Sequence, residues 1–191
     1  MPPKEKLTKQ DIVSGAVELI RRKGIKALNA RALAEGLDCS TMPLFRNFQG
    51  MEEIRRAAME RIGEIYSAYI QRGAEQELPF KAMGMEYIRF AKEEPNFFRL
   101  MFMTDPRSLE TPPLEDHTRH QVVDIASHAS GLDPEKVGRL YQEMWVFVHG
   151  IATLIITGVM EFREDEISTM LSDVFLGVKW KLNQSKEETT I

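Results

Sequence analysis

The chain has 191 residues, 43% of them hydrophobic and 28% charged, a composition that suits a folded protein with a core and excludes a disordered tail. No run of about 18 apolar residues is available to span a bilayer, because the most apolar stretch, 144–160, is broken by His149, Gly150, Thr153 and Thr157. The formal net charge of −4 hides an asymmetry, since residues 1–50 hold nine Lys/Arg against five acids and the remaining 141 hold 16 against 24.

A basic head of this kind suits a polyanion, although a solvated basic face has the same composition. Residues 8–23 predict a first helix, with Thr8 as N-cap and Asp11 three residues on, as in a capping box. Ile12, Ala16, Leu19 and Ile20, joined by Val13 and Val17, recur at helical spacing and give it one apolar face. Gly24 supplies a left-handed stop. A short helix over 29–37 follows, with Asn29 as cap and Leu33 and Ala34 facing inward. After Asp38 and Cys39, Ser40 is expected to cap a third helix over 41–47, with Pro43 in a first turn that needs no N–H from it.

The remainder also reads as helical. Residues 51–72 place Ile54, Ala58, Ile62, Ile65 and Tyr69 on one stripe, and a helix over 78–94 follows. Pro95 then opens a short apolar run over 96–103. Thr104-Asp105-Pro106-Arg107 and Thr111-Pro112-Pro113 mark a loop. A helix over 114–130 is closed by Gly131, Asp133-Pro134 starts a long one reaching 160, and a last helix covers 164–182 before a polar tail. No segment alternates with period two and no internal repeat occurs, so the fold class is all-α: a three-helix N-terminal domain plus a C-terminal helical bundle, about nine helices in total.

Two short helices joined by a tight turn, the second opening with Ser/Thr and small residues, make the pattern of a helix-turn-helix. Three helices of an ordinary bundle share that pattern. Thr41, Met42 and Pro43 are then the exposed early positions, Arg46 and Asn47 fall on later turns, and Leu44 and Phe48 face the core.

The stretch 12–54, IVSGAVELIRRKGIKALNARALAEGLDCSTMPLFRNFQGMEEI, resembles the DNA-binding domain of the TetR/AcrR family of bacterial regulators. The residues that carry the resemblance are Lys23-Gly24, Leu28, Arg31, Leu33-Ala34, Ser40, Leu44-Phe45-Arg46-Asn47-Phe48 and Glu52-Glu53-Ile54, spaced as in the family's pattern. Tyr87, Phe90-Ala91, Glu94-Pro95 and Phe97-Phe98-Arg99-Leu100-Met101-Phe102, with Trp145 and His149-Gly150, resemble one of its C-terminal types, named for a Trp-His-Gly signature.

The resemblance implies a head over 1–50 and a ligand-binding and dimerisation part over 51–191. It implies double-stranded DNA as partner, contacted by Thr8, Lys9, Arg31, Ser40, Thr41, Met42, Pro43, Phe45, Arg46 and Asn47, with Lys4 and Lys6 in an N-terminal arm. Four positions depart from the pattern: Phe45 replaces a Tyr, Asn47 a His, Met51 a Lys and Asp38 a Gly. A head with fewer phosphate partners binds more weakly and with a flatter salt dependence.

By the same resemblance the chain is a homodimer that reads a pseudopalindromic operator. The apolar stripes of its last two long helices offer Val137, Tyr141, Val148, Met170, Val174, Phe175 and Val178 for the interface. A cavity for a small, apolar effector that releases DNA draws on Met83, Tyr87, Phe90, Phe98, Met101, Phe102, Trp145, His149 and Thr153, residues that could equally fill a core. The alternative from another class is a helical ligand-binding module whose head meets a protein partner instead of DNA.

No phosphate-binding Gly loop, zinc-type Cys pair or nucleophile elbow occurs, so neither an enzyme nor a cofactor is expected. Glu115, Asp116, His117, His120 and His128 are close in sequence, and His117 and His120 could share a helix face with Asp124 and bind a metal, but such clusters are more often solvated surface, and no metal site is assigned. The lone Cys39 forms no internal disulfide, and no apolar signal core follows the N-terminus. The expected location is the cytoplasm, with no membrane partner.

Overall fold

A computed structural model describes residues 7–105 and 118–184. Among these, the regular elements are the helices α1 (Lys9–Lys23), α2 (Ala30–Gly36), α3 (Met42–Asn47), α4 (Met51–Ala74), α5 (Pro79–Glu93), α6 (Pro95–Phe102), α7 (Arg119–Ser130), α8 (Pro134–Ile156) and α9 (Glu164–Gln184), with one 3-10 turn at Ile25–Ala27. The all-α class and the nine helices therefore hold among the described residues. Lys4, Lys6, Pro106, Arg107, Thr111, Pro112, Pro113, Glu115, Asp116, His117 and the start of the helix expected from 114 lie outside them.

The chain divides into two compact units. One is Met1–Ile65 with Glu94–Glu115; the other is Tyr66–Glu93 with Asp116–Ile191. Helix α4 contributes its first half to one and its second half to the other.

In the first unit, α1 opens on the expected capping box. The Thr8 N–H donates to Asp11 Oδ2 at 2.8 Å and the Asp11 N–H to Thr8 Oγ1 at 3.1 Å, satisfying two of the donors a helix start leaves free. Hydrogen bonds from the Thr8 hydroxyl and N–H hold the Asp11 carboxyl below its usual range. Ile12, Ala16, Val17 and Ile20 are buried. The helix stops at Gly24 at φ 78 and ψ 168, a backbone region open almost only to glycine and different from the left-handed helical one expected. Helix α6 packs on α1. Arg21 Nε donates to the Glu94 carboxylate at 2.9 and 3.1 Å, Asn96 Nδ2 donates to the Arg21 carbonyl at 2.8 Å, and the Arg21 guanidinium lies 5.0 Å from the Phe97 ring centre.

In the second unit α8 packs against α5, α7 and α9. Its buried residues Val137, Leu140, Met144, Val148, Ile151 and Ala152 repeat in steps of three and four, the spacing that sends one helix face inward. Tyr66 and Tyr69 of α4 set their edges on Phe90 at 5.2 and 5.3 Å. The Tyr69 hydroxyl donates to Glu93 at 2.7 Å. Glu86, a buried acid on α5, pairs with Arg89 at 2.6 Å and lies 3.4 Å from Arg72.

Two expectations need correction here. Helix α8 ends at Ile156, not 160. Gly158 takes a left-handed φ of 70, and the N–H groups of Val159 and Met160 turn back onto the Leu154 carbonyl at 3.1 and 3.3 Å. Ile65 is only half-buried, and Met59, Tyr66 and Ile70 fill the α4 stripe with Ile54, Ala58, Ile62 and Tyr69. The period of 3.6 carries the buried face around a helix of 24 residues.

Candidate functional site

Helices α2 and α3 are short and locally fixed. Asn29 Oδ1 accepts from the Ala32 N–H at 3.0 Å and starts α2, and Leu33, Ala34, Leu44 and Phe48 are buried. Between the helices Asp38 adopts a left-handed φ of 49, which an Asx residue tolerates better than most, and the Cys39 N–H returns to the Ala34 carbonyl at 3.0 Å. Thr41, not Ser40, is the residue before α3. It is already helical at φ −72 and ψ −17, and no side chain caps that end. The expected Ser40 cap is absent because the turn enters the helix one residue later.

The outer face of α3 is left open by the described residues of its own unit. Met42 is 60% and Phe45 47% exposed, and with Arg46 they sit at i, i+3 and i+4 on one side. Arg46 donates to the Met42 sulfur at 3.2 Å. Ser40 and Thr41 are exposed and Pro43 is half-buried. Arg31 on α2 is exposed and free of any ion pair among the described residues.

Three of the expected DNA-contact residues have structural work within the unit. Thr8 closes the capping box. Lys9 reaches Glu53 at 3.4 Å and lies 4.9 Å from the Phe48 ring centre. Asn47 is half-buried, its amide donating to the Pro43 carbonyl at 2.9 Å and the Leu7 carbonyl at 3.3 Å. That amide therefore ties α3 to the chain entering α1, where the resemblance implies a contact to DNA. The Glu53 carboxyl is held below its usual range, first by the Gln49 N–H and also by Lys9.

The second unit holds a partly open cavity lined by Tyr66, Ile70, Phe80, Lys81, Met83, Gly84, Tyr87, Thr118, Val122, Tyr141, Met144, Trp145, Val148 and Leu171. Of the expected ligand residues, Met83, Tyr87 and Trp145 are in this wall. His149 stands behind it: its Nδ1 is 3.0 Å from the Tyr87 hydroxyl and its ring stacks on Trp145 with centres 5.2 Å apart. Burial pushes the His149 pKa down. Thr153 Oγ1 is buried with no hydrogen-bond partner among the described residues. Phe90 is core packing, and Phe98, Met101 and Phe102 belong to α6 in the first unit, so these four are not brought to the wall.

Tyr141 and Val148, expected at a dimer interface, line the cavity, and Val137 is on the buried face of α8. Met170, Val174, Phe175 and Val178 are half-buried, with Phe175 against Phe80 at 5.7 Å. The apolar side chains that α8 and α9 leave outside are Trp145, Val146, Leu176 and Trp180, the last three 59%, 60% and 64% exposed. Sequence reasoning passed over Val146, Leu176 and Trp180 because they fall beside the dominant stripes, not on them.

Among the described residues no group of three or more His, Cys, Asp or Glu could hold a metal ion, and His128 Nδ1 is occupied at 2.7 Å by the Asp124 carbonyl. No helix among them is long and apolar enough to cross a membrane.

Residues 80–174 match a family model described as a tetracyclin repressor-like C-terminal domain. Over 190 residues the chain is 27% identical to an HTH-type transcriptional regulator of Mycobacterium tuberculosis, a match covering 97% of this chain and 84% of the relative. The relative's match takes in α2 and α3 as well as the bundle around α8, and together the two similarities support a TetR-family transcriptional regulator.

Proposed function

We propose that the chain is a cytoplasmic, ligand-responsive repressor that binds a pseudopalindromic operator as a homodimer. In this reading residues 1–50 are the DNA-binding head and 51–191 hold the effector and the partner protomer. The observation that carries it is the outer face of α3, where Met42, Phe45 and Arg46 stand exposed on a buttressed short helix among the described residues. A recognition helix needs such a face: apolar groups for thymine methyls and a guanidinium for guanine edges. Ser40, Thr41 and Arg31 flank it and suit phosphates.

One such module reads only a few base pairs, so two must be held together. Leu176 and Trp180 of α9 with Val146 of α8 are the surface we assign to the partner protomer. The effector acts by population shift. It must bind the DNA-incompetent arrangement better, since equal affinity shifts nothing. Nuclease protection on the DNA upstream of the chain's own gene tests the reading. Two half-sites protected symmetrically support it; no protection, or one unpaired site, overturns the dimeric operator.

A second reading is a head that meets a protein, favoured by the two large apolar groups on α3 and by the internal engagement of Asn47. It predicts no sequence-selective DNA affinity.

A further inference from the structure

The aromatic wall of the second unit's cavity holds one feature at odds with an apolar ligand. Five of its fourteen residues are aromatic, none is acidic, and its one charged member is Lys81 in the first turn of α5. Lys81 is half-buried and makes no ion pair or hydrogen bond with any described residue. Of the same unit's arginines, Arg72, Arg89, Arg139 and Arg163 lie beside a carboxylate, and Arg119 lies 5.8 Å from the ring centre of Tyr141. Among the described residues, the one charged side chain in the cavity wall is thus a cation with no carboxylate beside it. An ammonium there attracts an anion and repels a cation, and a neutral ligand leaves it to compete for water.

We propose that the effector is a small amphipathic acid, its apolar body among the rings of Tyr66, Tyr87 and Trp145 and its single carboxylate at Lys81. The inference rests on the ligand-responsive reading and adds to it the chemical class of the ligand.

The free room is about 50 Å³, enough for a few waters and well short of a ligand body. Binding therefore requires the wall to part. Gly84 lies at the seam of α5 with α8 and α9, where a Cβ would be 3.4 Å from Val148 and 3.5 Å from Leu171. A ligand that enters must move α5 away from these helices, and this displacement supplies the two arrangements a switch needs.

Calorimetric titration of the full chain tests the proposal with two matched pairs, octanoate against octanamide and 4-phenylbutyrate against 4-phenylbutanamide. At least one acid is expected to bind about tenfold or more tightly than its amide. Lys81→Met should remove that preference while leaving amide binding unchanged, and Lys81→Arg should keep it. Acid and amide binding equally, a preference untouched by Lys81→Met, or no binding by either acid each overturns the proposal. An acid that binds through Lys81 yet leaves operator affinity unchanged instead overturns the ligand-responsive reading.

Discussion

Arg46 and Phe45 lie side by side on α3, and in the proposed head they would act on DNA through different forces. Arg46 is a charge with planar donors, whereas Phe45 has only area to offer. Phe45→Ala should therefore weaken operator binding without changing its salt slope, and replacing operator thymines by uracil should reproduce part of the loss. Quantitative gel shifts at two salt concentrations check this, and a changed slope would contradict apolar contact. His149 supplies a second prediction. Burial depresses its pKa from the ordinary value of about 6.5, so the unfolded chain takes up the proton first. The stability contributed by the neutral ring is full above about pH 6.5 and declines as pH falls below that, levelling at the lower folded pKa. Melting temperature should drop between pH 7.5 and 5.5, and His149→Gln should flatten that drop. Equal pH dependence in parent and variant would contradict it.

Helix boundaries and contacts at the scale of elements depend on chemistry of different range. The caps at Thr8 and Asn29 and the left-handed stop at Gly131 were legible because each is decided within four residues. The end of α8 was not, because Gly158 stands inside an otherwise apolar run that reads as helix to 160. The cavity wall was harder still. Periodicity separates inside from outside but does not say which inward residues meet a void, so Tyr141 and Val148 read as interface and nothing singled out Lys81. Gly73 makes an element-scale prediction. A Cβ there would lie 2.6 Å from the Met83 backbone nitrogen, with no side chain able to yield. Gly73→Ala should cost about 1–3 kcal/mol in chemical denaturation. Gly36→Ala, with nothing within 4 Å, should be neutral or slightly stabilising. Equal stabilities for the two variants would refute the backbone approach of α4 and α5.

Charge and apolar surface are distributed over the molecule in ways that bear on its assembly. The strongest stripes on α8 and α9 are spent within the protomer, so in the proposed dimer the apolar surface offered to the partner is Val146, Leu176 and Trp180. The joint change Leu176→Glu and Trp180→Glu should weaken dimerisation by roughly thirtyfold or more, read by sedimentation. A double variant that sediments as its parent would place the interface elsewhere. The excess of basic residues over 1–50 and of acidic ones beyond favours an approach to DNA by the head. The most direct measurement is the affinity of the full chain for the DNA upstream of its own gene, titrated over salt beside Arg46→Ala. Sequence-selective binding that falls linearly on a log–log salt plot, and that Arg46→Ala weakens by about 1–3 kcal/mol, is the expected result. Binding no tighter than to random DNA and unchanged by the substitution would contradict a DNA-reading head.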